Sequence, residues 1–71
     1  MKDLGINNKV IVSRDDDGMR LDNYLIKIIK GMPKSRIYRM IRKGEVRINS
    51  KRAKPRSRVH VNDTVRIPPY A

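Results

Sequence analysis

The chain has 71 residues, no cysteine and one histidine, so it is at most one small domain, which buries only about 60% of the surface its unfolded chain exposes. It can form no disulfide, and His60 has no Cys, His or Glu partner at the close spacing of a zinc site. Eighteen Lys and Arg stand against seven Asp and Glu, a net charge of +11 that points to a polyanionic partner, while no apolar run approaches a membrane span or the core of a signal peptide.

The charge is unevenly placed. Residues 1–32 carry six Lys or Arg and five Asp, a net of +1, whereas residues 33–67 carry twelve Lys or Arg against only Glu45 and Asp63, a net of +10. The second half is the part built to meet an anion.

Residues 1–8 have no periodicity and are expected to form a flexible N-terminus. Lys9 to Ser13 (KVIVS) is a β-branched run that predicts a strand, and Arg14-Asp15-Asp16-Asp17-Gly18 predicts a turn. The helical spacing of Leu21, Tyr24, Leu25, Ile28 and Ile29 predicts a first helix from Met19 to Lys30. The Asp run would lie at the positive end of its dipole, and Lys27 would face away from the core. Gly31 and Pro33 stop this helix.

A second helix follows, with Ser35 as the expected N-cap after Pro33 and Gly44 as its terminator. Ile37, Met40 and Ile41 form one face; Arg36, Arg39, Arg42 and Lys43 form the other. The period then changes from helical to alternating. Val46 and Ile48 point inward around Arg47, Asn49-Ser50 turns the chain, and Lys51 to Ala53 returns. After Pro55, Val59 and Val61 alternate with Arg58 and His60, and Val65 and Ile67 with Thr64 and Arg66, across a turn at Asn62-Asp63. The class is α+β: two short helices packed on a small antiparallel sheet.

The residues Ser35-Arg36, Arg42-Lys43-Gly44-Glu45-Val46-Arg47-Ile48-Asn49, Gly18-Met19-Arg20-Leu21-Asp22-Asn23-Tyr24-Leu25, Lys54-Pro55 and Asn62-Asp63-Thr64-Val65-Arg66-Ile67-Pro68-Pro69 together resemble the RNA-binding domain named after ribosomal protein S-four, the alpha-L RNA-binding motif. Within that group the sequence is most similar to the N-terminal domain of bacterial pseudouridine synthases that modify large-subunit ribosomal RNA. The resemblance implies an RNA-binding domain over residues 9–68, with 69–71 opening a linker to a C-terminal catalytic domain of the same chain in the cytoplasm. Two departures accompany it. Ser50 stands where the family commonly has Gly after the turn Asn, which costs roughly 1 kcal/mol if φ is positive there. Arg20-Leu21-Asp22 has the letters of the synthases' catalytic motif but opens an amphipathic helix, so Asp22 is expected to be structural.

The implied RNA contacts are Lys34, Ser35, Arg36, Arg39, Arg42, Lys43, Arg47, Asn49, Lys51, Arg52 and Lys54, with large-subunit ribosomal RNA as the partner. No residue pair suits acid–base catalysis, and no cofactor or metal is implied; Asp15 to Asp17 read as a turn. Tyr24 and Tyr38 read as core residues rather than base-stacking platforms, and His60 as an exposed strand histidine. Two alternatives stand beside this: a stand-alone ribosome-associated protein of the same fold, and a helix-turn-helix DNA-binding domain whose second helix is basic.

Overall fold

The computed structural model describes residues 9–68; the segments 1–8 and 69–71, expected to be a flexible end and a linker, lie outside them. The elements in chain order are β1 (Lys9–Ile11), a 3₁₀ turn (Arg14–Asp16), α1 (Leu21–Ile28), α2 (Lys34–Arg42), β2 (Arg47–Ile48), β3 (Lys51–Arg52) and β4 (Thr64–Arg66). The sheet is antiparallel with strand order β1-β4-β2-β3. The last strand is therefore central and holds the first strand against the hairpin.

The core is one cluster between the two helices and the inner face of the sheet. Leu21, Tyr24, Leu25 and Ile29 enter from the first helical stretch, Ile37, Met40 and Ile41 from α2, and Val12, Val46, Val59, Val65 and Ile67 from the strands and loops. Tyr24 is 1% exposed and is a core residue, as its place in the helical stripe predicts.

Helix α1 is shorter than the predicted Met19 to Lys30. Met19 and Arg20 are extended instead: Arg20 pairs with Arg58 in an isolated bridge, and Val59 N–H donates to the Met19 carbonyl at 2.8 Å. This same returning segment satisfies two N–H groups at the start of α1, since the carbonyl of Ser57 accepts from Leu21 at 2.6 Å and that of Pro55 from Asp22 at 3.0 Å. At the other end Ile29 leaves the helix to enter the core, 2% exposed, and Gly31 takes φ +86°.

The Asp run does not cap α1. Asp16 is buried and pairs with Lys27, in the last turn of α1, so this lysine holds the 3₁₀ turn onto the helix. Asp17 accepts from the backbone N–H of Val61 at 2.9 Å. The predicted strand around Val59 and Val61 reduces to the single bridge at Arg58. Val61 is exposed rather than inward, because Asn62 adopts φ +73° and turns the chain there. His60 is exposed as predicted, in a loop rather than a strand, with Nδ1 3.5 Å from Asp17 Oδ1.

Candidate nucleic-acid interface

Helix α2 starts two residues earlier than Ser35 as N-cap would dictate. Pro33, extended at φ −63° and ψ 148°, is the N-cap, and its carbonyl accepts from Arg36 and Ile37, each at 3.1 Å. A proline already has its φ fixed near this value, so the entry to the helix costs little chain entropy. Ser35 makes no capping bond and stands exposed in the first turn beside Lys34 and Arg36. That turn contains no acid; two cations sit at the positive end of the helix dipole, where anionic side chains normally stabilise.

The C-terminal end is closed with the 6→1 and 5→2 bonds of a Schellman motif. Glu45 N–H donates to the Met40 carbonyl and Gly44 N–H to the Ile41 carbonyl, both at 3.0 Å, with Gly44 at φ +76°. Two arginines of the hairpin complete this end: Arg52 Nη2 donates to the Arg42 carbonyl at 2.9 Å and Arg47 Nε to the Gly44 carbonyl at 3.2 Å. The hairpin turn itself has two residues, Asn49 at φ +51° and Ser50 at φ +70°, both left-handed as a type I′ turn requires.

All eleven residues named from the sequence are exposed, but they do not share one surface. Arg36, Arg39 and Lys43 line a shallow groove with Met40, Glu45 and Pro68 on one flank of α2. Arg42, Arg52 and Lys54 line another with Ile41, Ala53 and Pro55 on the opposite flank. Arg47 belongs to a third, at the end of the helix, with Gly44, Glu45, Ser50 and Arg66. Lys51 and Arg52 are neighbours on β3 and so project to opposite faces of the sheet. Asn49 serves the fold: its amide donates to Asp63 Oδ1 at 3.0 Å and accepts from Thr64 N–H at 3.0 Å, fastening the hairpin to β4.

Two further cations, Lys9 and Arg66, lie outside the eleven residues named from the sequence. In the register of the sheet Lys9 lies opposite Arg66, Arg66 opposite Arg47, and Arg47 opposite Arg52. Paired residues share a face, so one cation from each strand forms a row across the outer face of the sheet. The alternation of β1 and β4 marks Lys9 and Arg66 as outward, but only the strand order places them beside the hairpin.

Asp22 is 3% exposed and held by several donors. Arg20 reaches it with Nε at 3.2 Å and Nη2 at 2.9 Å, Asn23 N–H at 2.7 Å, and the Tyr38 hydroxyl at 2.9 Å. Burial alone raises its pKa, but the bonds from Tyr38, Asn23 and Arg20 together outweigh burial and leave the carboxyl below its ordinary value. Asp22 thus joins the two helices, in keeping with the structural role expected of it. Tyr38, half-buried, is likewise tied into the fold through its hydroxyl.

Among the described residues no group of three or more His, Cys, Asp or Glu could hold a metal ion, and no helix is long and apolar enough to cross a membrane. The S4 domain family matches residues 19–65. The ribosomal large subunit pseudouridine synthase C of Pasteurella multocida (strain Pm70) is 49% identical over 72 aligned residues, which cover 96% of this chain and 22% of that protein. The protein of the same name from Haemophilus influenzae is 55% identical over 58 residues, 82% of this chain and 18% of its own length. That from Escherichia coli (strain K12) is 53% identical over 60 residues, 84% and 19% respectively. The chain spans about a fifth of the length of the curated relatives it matches. With the family match covering both helices and reaching into β4, and with two short helices packed on a small antiparallel sheet as the resemblance implies, the chain belongs to the S4 domain family of RNA-binding modules.

Proposed function

We propose that this chain is the N-terminal RNA-targeting domain of a cytoplasmic bacterial pseudouridine synthase acting on large-subunit ribosomal RNA, and that a C-terminal domain of the same protein carries the chemistry. The observation that carries this reading is the basic surface around α2: cations line both flanks and the end of one helix, and Glu45 is the sole acid among the residues lining the three grooves. An ordinary solvated helix face offsets its charges with acids three or four residues away, and α2 has none. The names of the relatives supply the class of reaction and the RNA, and favour this reading over a stand-alone ribosome-associated protein or a helix-turn-helix DNA reader.

In this reading Lys34, Arg36, Arg39, Arg42, Lys43, Arg47, Arg52 and Lys54 neutralise phosphates and release counterions, with Ser35 and Lys51 at the margins. The shape and 2′-hydroxyls of a folded RNA supply preference. Holding the RNA here raises the effective concentration of the catalytic domain near its uridines.

The test is a titration of the chain with a ribosomal RNA hairpin and an equally long DNA duplex at several salt concentrations. Arg36→Ala and Lys43→Ala should each weaken RNA binding and reduce the salt slope of log K by about 0.7 to 0.9. Arg14→Ala, which removes the same charge beside the Asp run, should leave both nearly unchanged. Equal losses in all three would reduce the effect to net charge, and tighter binding to DNA would overturn the RNA assignment. In the full-length enzyme, the α2 variants should raise KM for the RNA and spare kcat.

A further inference from the structure

The row Lys9, Arg66, Arg47 and Arg52 is costly for an isolated fold. Like charges directly opposite on neighbouring strands repel one another and destabilise a sheet, and none of the four makes an ion pair with an acid among the described residues. Part of the row has an ordinary explanation. Strands β1 and β3 are the two edges of the sheet, where cations discourage pairing with another chain, and Arg47 and Arg52 also bind carbonyls at the end of α2. Neither reason reaches Arg66. It lies on a central strand, makes no hydrogen bond to protein among those of the described side chains, and has Lys9 on one side and Arg47 on the other.

All four residues of the row are exposed. The next rung on the same side pairs Ile11 with Thr64, and Ile11 is 59% exposed. Strands lie about 4.8 Å apart, so four side chains across four strands mark out roughly 14 Å of positive track. At its middle the track opens into the groove shared by Arg47, Arg66, Gly44, Glu45 and Ser50, and Glu45 also borders the groove of Arg36, Arg39 and Lys43. The sheet face and the helix face therefore meet at the end of α2.

We propose that the outer face of the sheet is a second RNA-binding surface, in which Lys9, Arg66, Arg47 and Arg52 contact successive phosphates of a strand that leaves α2 past Glu45. The proposal rests on the RNA-binding reading and extends it to residues on the opposite side of the sheet from the core. Its occupant is an RNA backbone because the contacts on offer are a row of cations with one isoleucine and no aromatic ring, which suits phosphate contact and not base stacking.

The experiment measures binding of the chain to an RNA hairpin with and without a single-stranded oligouridine extension, over a range of salt, together with the melting temperature of each variant. Arg66→Ala and Lys9→Ala should each weaken binding of the extended RNA several-fold and lower its salt slope by about 0.7, while the melting temperature holds or rises because repulsion in the row is relieved. Arg66→Lys should retain most of the affinity. If Arg66→Ala and Lys9→Ala bind as wild type while Arg36→Ala loses affinity, the second surface is overturned and the RNA reading stands. If none of the three loses affinity, both fall. A loss of affinity that accompanies a lower melting temperature would make Arg66 a fold residue and also overturn the proposal.

Discussion

The hydroxyl of Tyr38 donates to Oδ2 of Asp22 at 2.9 Å, a bond that ties the second turn of α2 to the first turn of α1. It helps fix the angle at which the basic helix is presented, since among the described residues these two elements are otherwise joined by packing and the turn at Gly31. The same bond explains why a tyrosine beside the apolar stripe is half-buried and not free to stack on a base.

The pairing gives stability a pH dependence whose sign follows from Asp22. Its carboxyl titrates below the ordinary 3.8 in the folded chain, so near that pH the unfolded chain binds more protons than the folded one. The contribution is complete above about pH 4 to 5 and is lost as pH falls through the lowered folded value. Tyr38→Phe should reduce the melting temperature near neutral pH, move the Asp22 pKa upward in an NMR titration, and differ less from wild type in acid. An unchanged Asp22 titration in the variant would contradict this account.

Gly44 is required twice, by its backbone and by its neighbour. Its φ is +76°, and a Cβ placed there would stand 2.8 Å from Arg52 Nε. Gly44→Ala should cost about 1 to 2 kcal/mol by chemical denaturation, and it should displace Arg52 from the Arg42 carbonyl. An Arg52→Ala background should relieve the second part of the cost but not the first.

Ser50 bears a strain that glycine would not. At φ +70° in a two-residue turn, it occupies a conformation that an L-residue other than Gly enters at about 1 kcal/mol or more. Ser50→Gly should therefore stabilise the domain by up to about 1 kcal/mol in a denaturant titration, the larger flexibility of the unfolded glycine chain offsetting part of the gain. A destabilised variant would mean that the hydroxyl holds the turn.

The two sides of α1 should respond differently from what its sequence pattern predicts. Leu25 is fully buried, and Leu25→Ala should cost about 2 to 5 kcal/mol, which a domain this small scarcely tolerates. Lys27 faces solvent by its helical phase, but it pairs with the buried Asp16. Lys27→Ala should thus lower the melting temperature clearly more than Lys30→Ala, because it leaves a covered carboxylate without its cation. Equal melting temperatures for the two lysine variants would show the Asp16 pair to be inconsequential.

Periodicity is local, and what depends on it could be read directly from the residues. Ile37, Met40 and Ile41 against Arg36, Arg39 and Lys43 is a property of any helix through that stretch, so the division of α2 into core and basic faces follows from the sequence alone. Gly44 as its end and Asn49-Ser50 as a turn follow equally, because few residues tolerate a positive φ. Other features depended on partners distant in the chain. The start of α1 was decided by Pro55 and Ser57 supplying carbonyls to it, and the role of Lys27 by Asp16 eleven positions away. Most of all, the row from Lys9 to Arg52 exists only because β4 inserts between β1 and β2. Strand order and register are set by how the apolar residues of the whole chain close one core, and no short window of sequence contains that information.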